Sequence, residues 1–269
     1  MTECLYECGS GASLTQEYHI LPFSTSALEL RLAPGIVCDN CNAYFSQLEK
    51  YFVERHPGSS QRLLGVRKTR KGKPPVFESE AGVATRHEGI DTFTFDFPLN
   101  ELRHEQLPNG DLLLTGVFKP RPFDSVTIGR VLAKIAVEYL VGLRGEEHLD
   151  PFGEQFKPLR EYARFGPRGL KFLWFAWKRT QEQQQLPRVI RVQDKGEPVV
   201  AVLCRISLPG VAYLVSLPPF VAPIAICPNL AGWHVVETAG ELQPEPETIE
   251  VTLKCVPASC PPDSENPVK

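Results

Sequence analysis

Apolar residues recur at helical spacing in two stretches of the chain. The first stretch is predicted to form a helix that Pro57-Gly58 ends, and its apolar face consists of Tyr44, Phe45, Leu48, Tyr51 and Phe52. The second stretch predicts a longer helix with Asp124 or Ser125 as its cap and Gly145 at its end. Its apolar stripe consists of Ile128, Val131, Leu132, Ile135, Ala136, Tyr139, Leu140 and Leu143. This pattern predicts that Arg130, Lys134 and Glu138 face solvent.

Alternation with period two predicts strands in the chain after residue 90. Residues 91–97 alternate polar and aromatic side chains, and residues 112–118 follow a turn at Pro108-Asn109-Gly110-Asp111. We therefore predict a hairpin between these two segments. Further predicted elements are a short helix at 158–165 and strands at 188–193, 198–207 and 211–217.

The order of these elements predicts an α+β fold. We expect a small cysteine-rich module over residues 1–75 and a larger α+β domain over 76–250. The second domain would select a substrate or sense a signal. Residues 251–269 are rich in proline and polar residues and are expected to form a flexible tail.

Composition narrows the class of protein. Hydrophobic residues make up 42% of the 269-residue chain and charged residues 23%, which excludes a disordered or fibrous protein. No apolar run reaches the roughly 20 residues of a membrane helix, and Glu3 and Glu7 lie where a signal peptide carries basic residues. We therefore predict a cytoplasmic protein that does not enter a membrane. In that compartment eight cysteines favour metal ligands and buried thiols over disulfides.

Four of the cysteines form two close pairs. Cys4 and Cys8 are separated by three residues, and Cys38 and Cys41 by two. Two such pairs about 30 residues apart suit a tetrahedral zinc site, because each pair can direct two thiolates at one ion. A small module with few apolar residues also gains folding free energy from the metal.

His19 and Asn42 stand out because of where they lie relative to these pairs. His19 is between the pairs, and Asn42 directly follows the second pair, so a zinc site would bring both to one edge of the module. Phosphodiester hydrolysis needs a general base, for which neutral histidine is suited near pH 7. It also needs a divalent metal held with open positions, and an asparagine oxygen can serve as one ligand.

Together, the cysteine pairs, a His-Ile-x-Pro motif at residues 19–22 and a Val-Cys-x-x-Cys-Asn motif at 37–42 resemble the HNH endonuclease family. The resemblance covers about residues 4–52 and implies a ββα-metal fold. It implies that His19 is the general base and that Asn42 binds a catalytic Mg²⁺ or Mn²⁺. The implied activity is phosphodiester hydrolysis in nucleic acid, with DNA as the expected substrate. A structural Zn²⁺ is implied on Cys4, Cys8, Cys38 and Cys41.

One position departs from the family pattern. Family members carry an acidic metal ligand immediately before the histidine, whereas this chain has Tyr18 there and Glu17 one position earlier. A neutral phenol is a poor ligand for Mg²⁺. Three alternatives follow: Glu17 reaches the metal through a bulge, Asp39 replaces the missing acid, or the site is impaired.

These alternatives define a second hypothesis, in which a zinc-ribbon module binds nucleic acid or a protein partner without cleaving it. A third hypothesis is a ligand-binding regulator in which residues 76–250 are the working part. If the chain cuts duplex, one such site cuts one strand, and a double-strand break needs a homodimer or two events.

A basic stretch follows the first predicted helix and has two interpretations. It contacts phosphates beside the cut site, or it is a solvated linker. Its residues are Arg62, Arg67, Lys68, Arg70, Lys71 and Lys73.

Overall fold

The computed structural model describes most of the chain, with gaps between its elements. The described residues are 4–9, 16–22, 28–62, 76–79, 82–86, 93–96, 102–118, 120–143, 149–167, 174–180, 184–192, 201–218, 230, 232–245 and 247–253.

The three α-helices of the described chain lie close to where the apolar spacing predicts helices. They are α1 (Asp39–Arg55), α2 (Ser125–Gly142) and α3 (Lys157–Phe165). Asp124 caps α2, because its carboxylate accepts hydrogen bonds from the backbone N–H groups of Val126 at 3.2 Å and Thr127 at 3.0 Å. The prediction that a cap begins this helix is confirmed.

The strands of the described residues are short, and each of their ladders is antiparallel. In chain order they are β1 (Tyr18–His19), β2 (Arg31–Leu32), β3 (Val76–Glu78), β4 (Val83–Arg86), β5 (Phe93–Asp96), β6 (Leu102–Gln106), β7 (Leu112–Phe118), β8 (Phe123–Asp124), β9 (Phe175–Arg179), β10 (Arg188–Val192), β11 (Ala201–Leu208), β12 (Val211–Leu217), β13 (His234–Val236), β14 (Glu241–Leu242) and β15 (Glu247–Leu253). The predicted α+β class is therefore confirmed.

The largest sheet has five strands in the order β10-β11-β12-β9-β13. β1 pairs with β2, β8 with β14, β3-β4-β5 form one three-stranded sheet, and β6-β7-β15 form another. The aromatic residues of β9, Phe175 and Trp177, are buried, so they belong to the core. Residues 251–253, assigned to a tail by composition, are the end of β15 and pair with β7.

The predicted hairpin has the right turn and the wrong partner. β7 pairs with β6, where Gln106 opposes Leu112, whereas β5 pairs with β4. The turn dictates this result, because Gly110 has φ 86° and the backbone N–H of Leu107 donates to the Asp111 carbonyl at 2.8 Å. So tight a turn returns the chain to the residues directly before it. The prediction missed β6 because its sequence, LRHEQ, is polar and lacks apolar alternation.

Helix α2 is the centre of the molecule. Residues 131–138 are all buried, because α1, α3 and the five-stranded sheet pack around this helix. The prediction that Lys134 and Glu138 face solvent is therefore wrong, since their exposures are 3% and 1%. At the contact with α3, a Cβ on Gly129 would lie 2.7 Å from the Tyr162 hydroxyl oxygen, so any other residue there would force the Tyr162 side chain to shift.

The C-terminal half of α1 is built into the same core. The His56 ring stacks on Phe52 with centroids 4.8 Å apart, and His56 Nδ1 lies 3.1 Å from the Tyr213 hydroxyl of β12. The Tyr51 hydroxyl accepts a hydrogen bond from the backbone N–H of Asp124 at 2.7 Å. One hydrophobic cluster thus includes residues from both predicted domains. The boundary predicted at residue 75 lies outside the described residues and stays a prediction.

This packing predicts unequal costs for two leucine truncations. Leu132→Ala in α2 removes a fully buried side chain, so we expect the free energy of unfolding to fall by about 2–5 kcal/mol. Leu186→Ala is the matched control, since Leu186 is 53% exposed, and we expect a change within about 0.5 kcal/mol. Urea denaturation followed by circular dichroism measures both. Equal costs for the two variants would contradict the central position of α2.

Candidate functional site

The four paired cysteines converge, although they come from two distant segments. Cys4 and Cys8 lie in an N-terminal turn, Cys38 caps α1, and Cys41 lies in the first turn of α1. All four Sγ atoms lie within 4.8 Å of one another. A tetrahedral ion with metal–sulfur bonds of about 2.3 Å holds its sulfurs roughly 3.8 Å apart, so the cluster can hold one metal ion such as zinc.

The protonation of these thiols shows their crowding. The interaction with Cys41, aided by backbone N–H donors from Cys38 and Tyr6, lowers the pKa of the Cys4 thiol to about 5. The same interaction with Cys4, together with burial, raises the pKa of the Cys41 thiol far above its ordinary range. One thiolate therefore opposes ionisation of the next, and a bound cation is what allows all four to ionise together.

The turn that carries Cys4 and Cys8 is fastened to α3. Glu7 has φ 46°, a left-handed conformation that side chains other than glycine rarely adopt. Its carboxylate forms an ion pair with Arg160, a buried residue of α3. Arg160 also donates to the carbonyl oxygens of Pro151 at 2.8 Å and Gly153 at 2.9 Å. The tertiary contacts of Arg160 thus offset the backbone strain at Glu7.

His19 lies on a two-residue hairpin strand. Tyr18 faces Leu32 and His19 faces Arg31 in the β1–β2 ladder. The strand is followed by a further backbone hydrogen bond, from the Ile20 N–H to the Leu30 carbonyl at 2.9 Å.

Tyr18 connects this strand to the start of α1. Its hydroxyl donates a hydrogen bond to Oδ1 of Asp39. Burial and this carboxylate raise the pKa of Tyr18 to about 12, so its phenol is neutral at physiological pH. Asp39 and Asn42 are three residues apart in α1 and therefore lie on the same side of the helix.

The other acidic candidate, Glu17, has a different partner. Its carboxylate lies 3.6 Å from the guanidinium of Arg31 across the hairpin, and both side chains are about half exposed. Asn42 is half-buried, and its backbone N–H donates to the Cys38 carbonyl at 3.0 Å. Of the two carboxylates considered in the sequence, Asp39 is therefore the one on the helix that carries Asn42.

Sequence reasoning missed a buried charged cluster beside His19. Lys134 Nζ lies 2.7 Å from Glu49 Oε1 of α1 and 2.9 Å from Glu138 Oε2 of α2. It also donates to the carbonyl oxygens of His19 at 3.0 Å and Ile20 at 3.1 Å. The only available signal was the i, i+4 spacing of Lys134 and Glu138, which surface helices also show.

The cluster is held from the N-terminal turn as well. The Tyr6 hydroxyl donates to Glu138 Oε1 at 2.9 Å. Burial raises the pKa of Glu138 to about 7, although Lys134 and Tyr6 stabilise its carboxylate. Burial lowers the pKa of Lys134, but the two glutamates raise it more, so the ammonium stays protonated.

Most of the predicted basic stretch falls outside the described residues. Arg62 ends a short 3₁₀ turn that begins at Ser59, and residues 63–75 are not described. Two basic side chains from elsewhere in the described chain lie against α1. The Arg164 guanidinium lies 3.7 Å from the ring centroid of Tyr44, and Arg130 donates a hydrogen bond to the hydroxyl of Tyr44.

The thiol geometry predicts the metal content of the protein. We expect one zinc ion per chain, and we expect Cys41→Ser to abolish it, because three thiolates and a hydroxyl form a weaker site. Cys204→Ala is the matched control, since Cys204 is fully buried in β11, away from the cluster. Mass spectrometry of metals in purified protein measures the ratio. Full zinc content in Cys41→Ser would exclude this cluster as the metal site.

None of the protein-family models, curated proteins or solved structures compared with this chain matches it. In the described part of the chain, no helix combines the length and the apolar character needed to cross a bilayer. The similarity to HNH endonucleases therefore rests on the residues of the N-terminal segment and stays a prediction.

Proposed function

We propose that this protein is a metal-dependent endonuclease of the HNH type, acting on DNA, with a structural zinc ion on its four clustered cysteines. The observation that carries the proposal is the order and pairing of three elements. The antiparallel strands β1 and β2 precede α1, with His19 on β1 and Asn42 in α1. The thiol cluster joins the N-terminal turn to the start of this helix. This is the order of elements that the resemblance implies.

In the proposed reaction His19 removes a proton from the attacking water, which requires a neutral imidazole. The amide oxygen of Asn42 and the second carboxylate oxygen of Asp39, Oδ2, would hold Mg²⁺ or Mn²⁺. When bound, the cation stabilises charge on the scissile phosphate and on the leaving oxygen. Tyr18 takes one oxygen of Asp39 by hydrogen bonding, which orients the carboxylate and leaves its second oxygen for the metal.

The contacts of Asp39 and Glu17 also support a second function, binding without cleavage. Asp39 already accepts a hydrogen bond from Tyr18, and Glu17 already pairs with Arg31. A module whose acidic groups serve only the fold would bind nucleic acid or a protein partner without cutting. Activity measurements separate these two functions.

Cleavage of supercoiled plasmid tests the proposal directly. We expect nicking that needs Mg²⁺ or Mn²⁺, stops with EDTA, and slows by about 10²–10⁴-fold in His19→Ala. His104→Ala is the matched control, since His104 is exposed on β6, and we expect it to cut at the wild-type rate.

Two outcomes would count against the nuclease. Cutting that survives His19→Ala would assign the activity to another site or to a contaminant. Absence of cutting by folded, zinc-loaded protein on DNA and RNA substrates would favour the binding module, which retention of labelled nucleic acid in a gel would then support.

The identity of the acidic ligand gives a separate prediction. We expect Asp39→Asn to raise the Mg²⁺ concentration for half-maximal cutting by about tenfold or more, because it removes a charged ligand. Glu17→Gln is the control, and we expect less than about a twofold change, since Glu17 pairs with Arg31. Metal titration of nicking rates measures both, with zinc content checked in each variant. The opposite pattern would identify Glu17 as the ligand.

A further inference from the structure

We infer that Lys134 is a positioning residue: from α2 it holds the main chain of His19 and Ile20, and so sets the place of the His19 imidazole relative to α1. This role in catalysis rests on the proposed function of His19. The clamp on the main chain itself does not, and it can be tested without any activity.

The hydrogen-bonding capacity of Lys134 matches its surroundings. An ammonium group has three N–H donors. The carbonyl oxygens of His19 and Ile20 take two of them, and Glu49 Oε1 at 2.7 Å takes the third. Glu138 Oε2, also within hydrogen-bonding distance at 2.9 Å, shares that donor with Glu49 and contributes charge. All three donors are therefore used inside the protein.

Part of the segment that Lys134 holds is a very short secondary-structure element. β1 contains only two residues, and isolated two-stranded hairpins are marginal in water. The carbonyl groups of His19 and Ile20 are directed at α2, and Ile20 is buried. Without Lys134 these two carbonyls would lose their donor in a dry environment, which costs free energy. The local backbone would then move to regain hydrogen bonds.

The same ammonium group reaches the helix of the second proposed site residue. Glu49 follows Asn42 by seven residues, so it lies on the same side of α1, two turns or about 10.5 Å further along the axis. Lys134 therefore connects the strand of the general base to the helix of the metal ligand. A displacement of about 1 Å between reacting groups can lower a rate roughly 10²-fold, so such a connection affects turnover.

The clamp gives the buried lysine of this packed helix a structural role. Lys134 belongs to α2, within the region predicted to select a substrate or sense a signal, whereas the carbonyls it holds belong to the cysteine-rich module. The position of His19 therefore depends on how α2 packs against the cysteine-rich module.

The test replaces Lys134 and controls for the unpaired buried carboxylate of Glu138 that this substitution leaves. Lys134→Met removes the donors, and Lys134→Met with Glu138→Gln also removes the carboxylate that would be left buried. Lys157→Met is the matched control, because the Lys157 side chain on α3 is 42% exposed. Zinc content and thermal midpoint confirm folding, hydrogen exchange at the Ile20 amide reports the clamp, and kcat and KM for nicking report catalysis.

In the double variant we expect Ile20 to exchange about tenfold faster or more, with one zinc ion still bound. We expect kcat to fall about 10–100-fold while KM changes less than about twofold, since substrate contacts are not altered. Unchanged Ile20 exchange would overturn the clamp. Faster exchange with unchanged kcat would overturn the positioning role. If wild-type protein does not cut, the nuclease proposal fails, whereas the exchange result still decides the clamp.

Discussion

The packing of α2 against its neighbours on all sides is the constraint on which the rest of the structure depends. Its apolar side chains pack against α1, α3 and the five-stranded sheet. Its charged side chains Lys134 and Glu138 form ion pairs and hydrogen bonds with the same surroundings. A lysine in such a helix is tolerated only because every donor has an acceptor. The N-terminal turn, the β1–β2 hairpin and α1 all touch residues of α2 or its cap, so the cysteine-rich segment shares one core with the region after it.

The features that the sequence could predict are those that depend on neighbouring residues. The cysteine pairs are visible because each contributes two ligands from one turn, and the cap at Asp124 is visible because it serves the next three residues. The thiol cluster and the helices therefore lie where spacing predicts them. The mixed fold class follows from the same local patterns.

The features that were missed depend on partners far along the chain. Glu138 meets Tyr6 across 132 residues, and no periodicity reports such a contact. The rule that charged residues face solvent failed at Lys134, because its carbonyl partners belong to a segment more than a hundred residues earlier. Strand β6 was missed for a different reason: it is a polar, exposed strand whose pairing is imposed by the turn that follows it.

Contacts of this range have a consequence for how the chain assembles during synthesis. Tyr6 and Glu7 emerge before their partners Glu138 and Arg160, which are translated 132 and 153 residues later. At about 5–20 residues per second, the cysteine-rich segment waits roughly 7–30 seconds on the ribosome before α2 and α3 can cover it. During that interval the thiols are open to metal, but also to oxidants, and the apolar residues around them are open to chaperones. A metal ion acquired at this stage would protect the thiolates until the remainder of the protein closes over them.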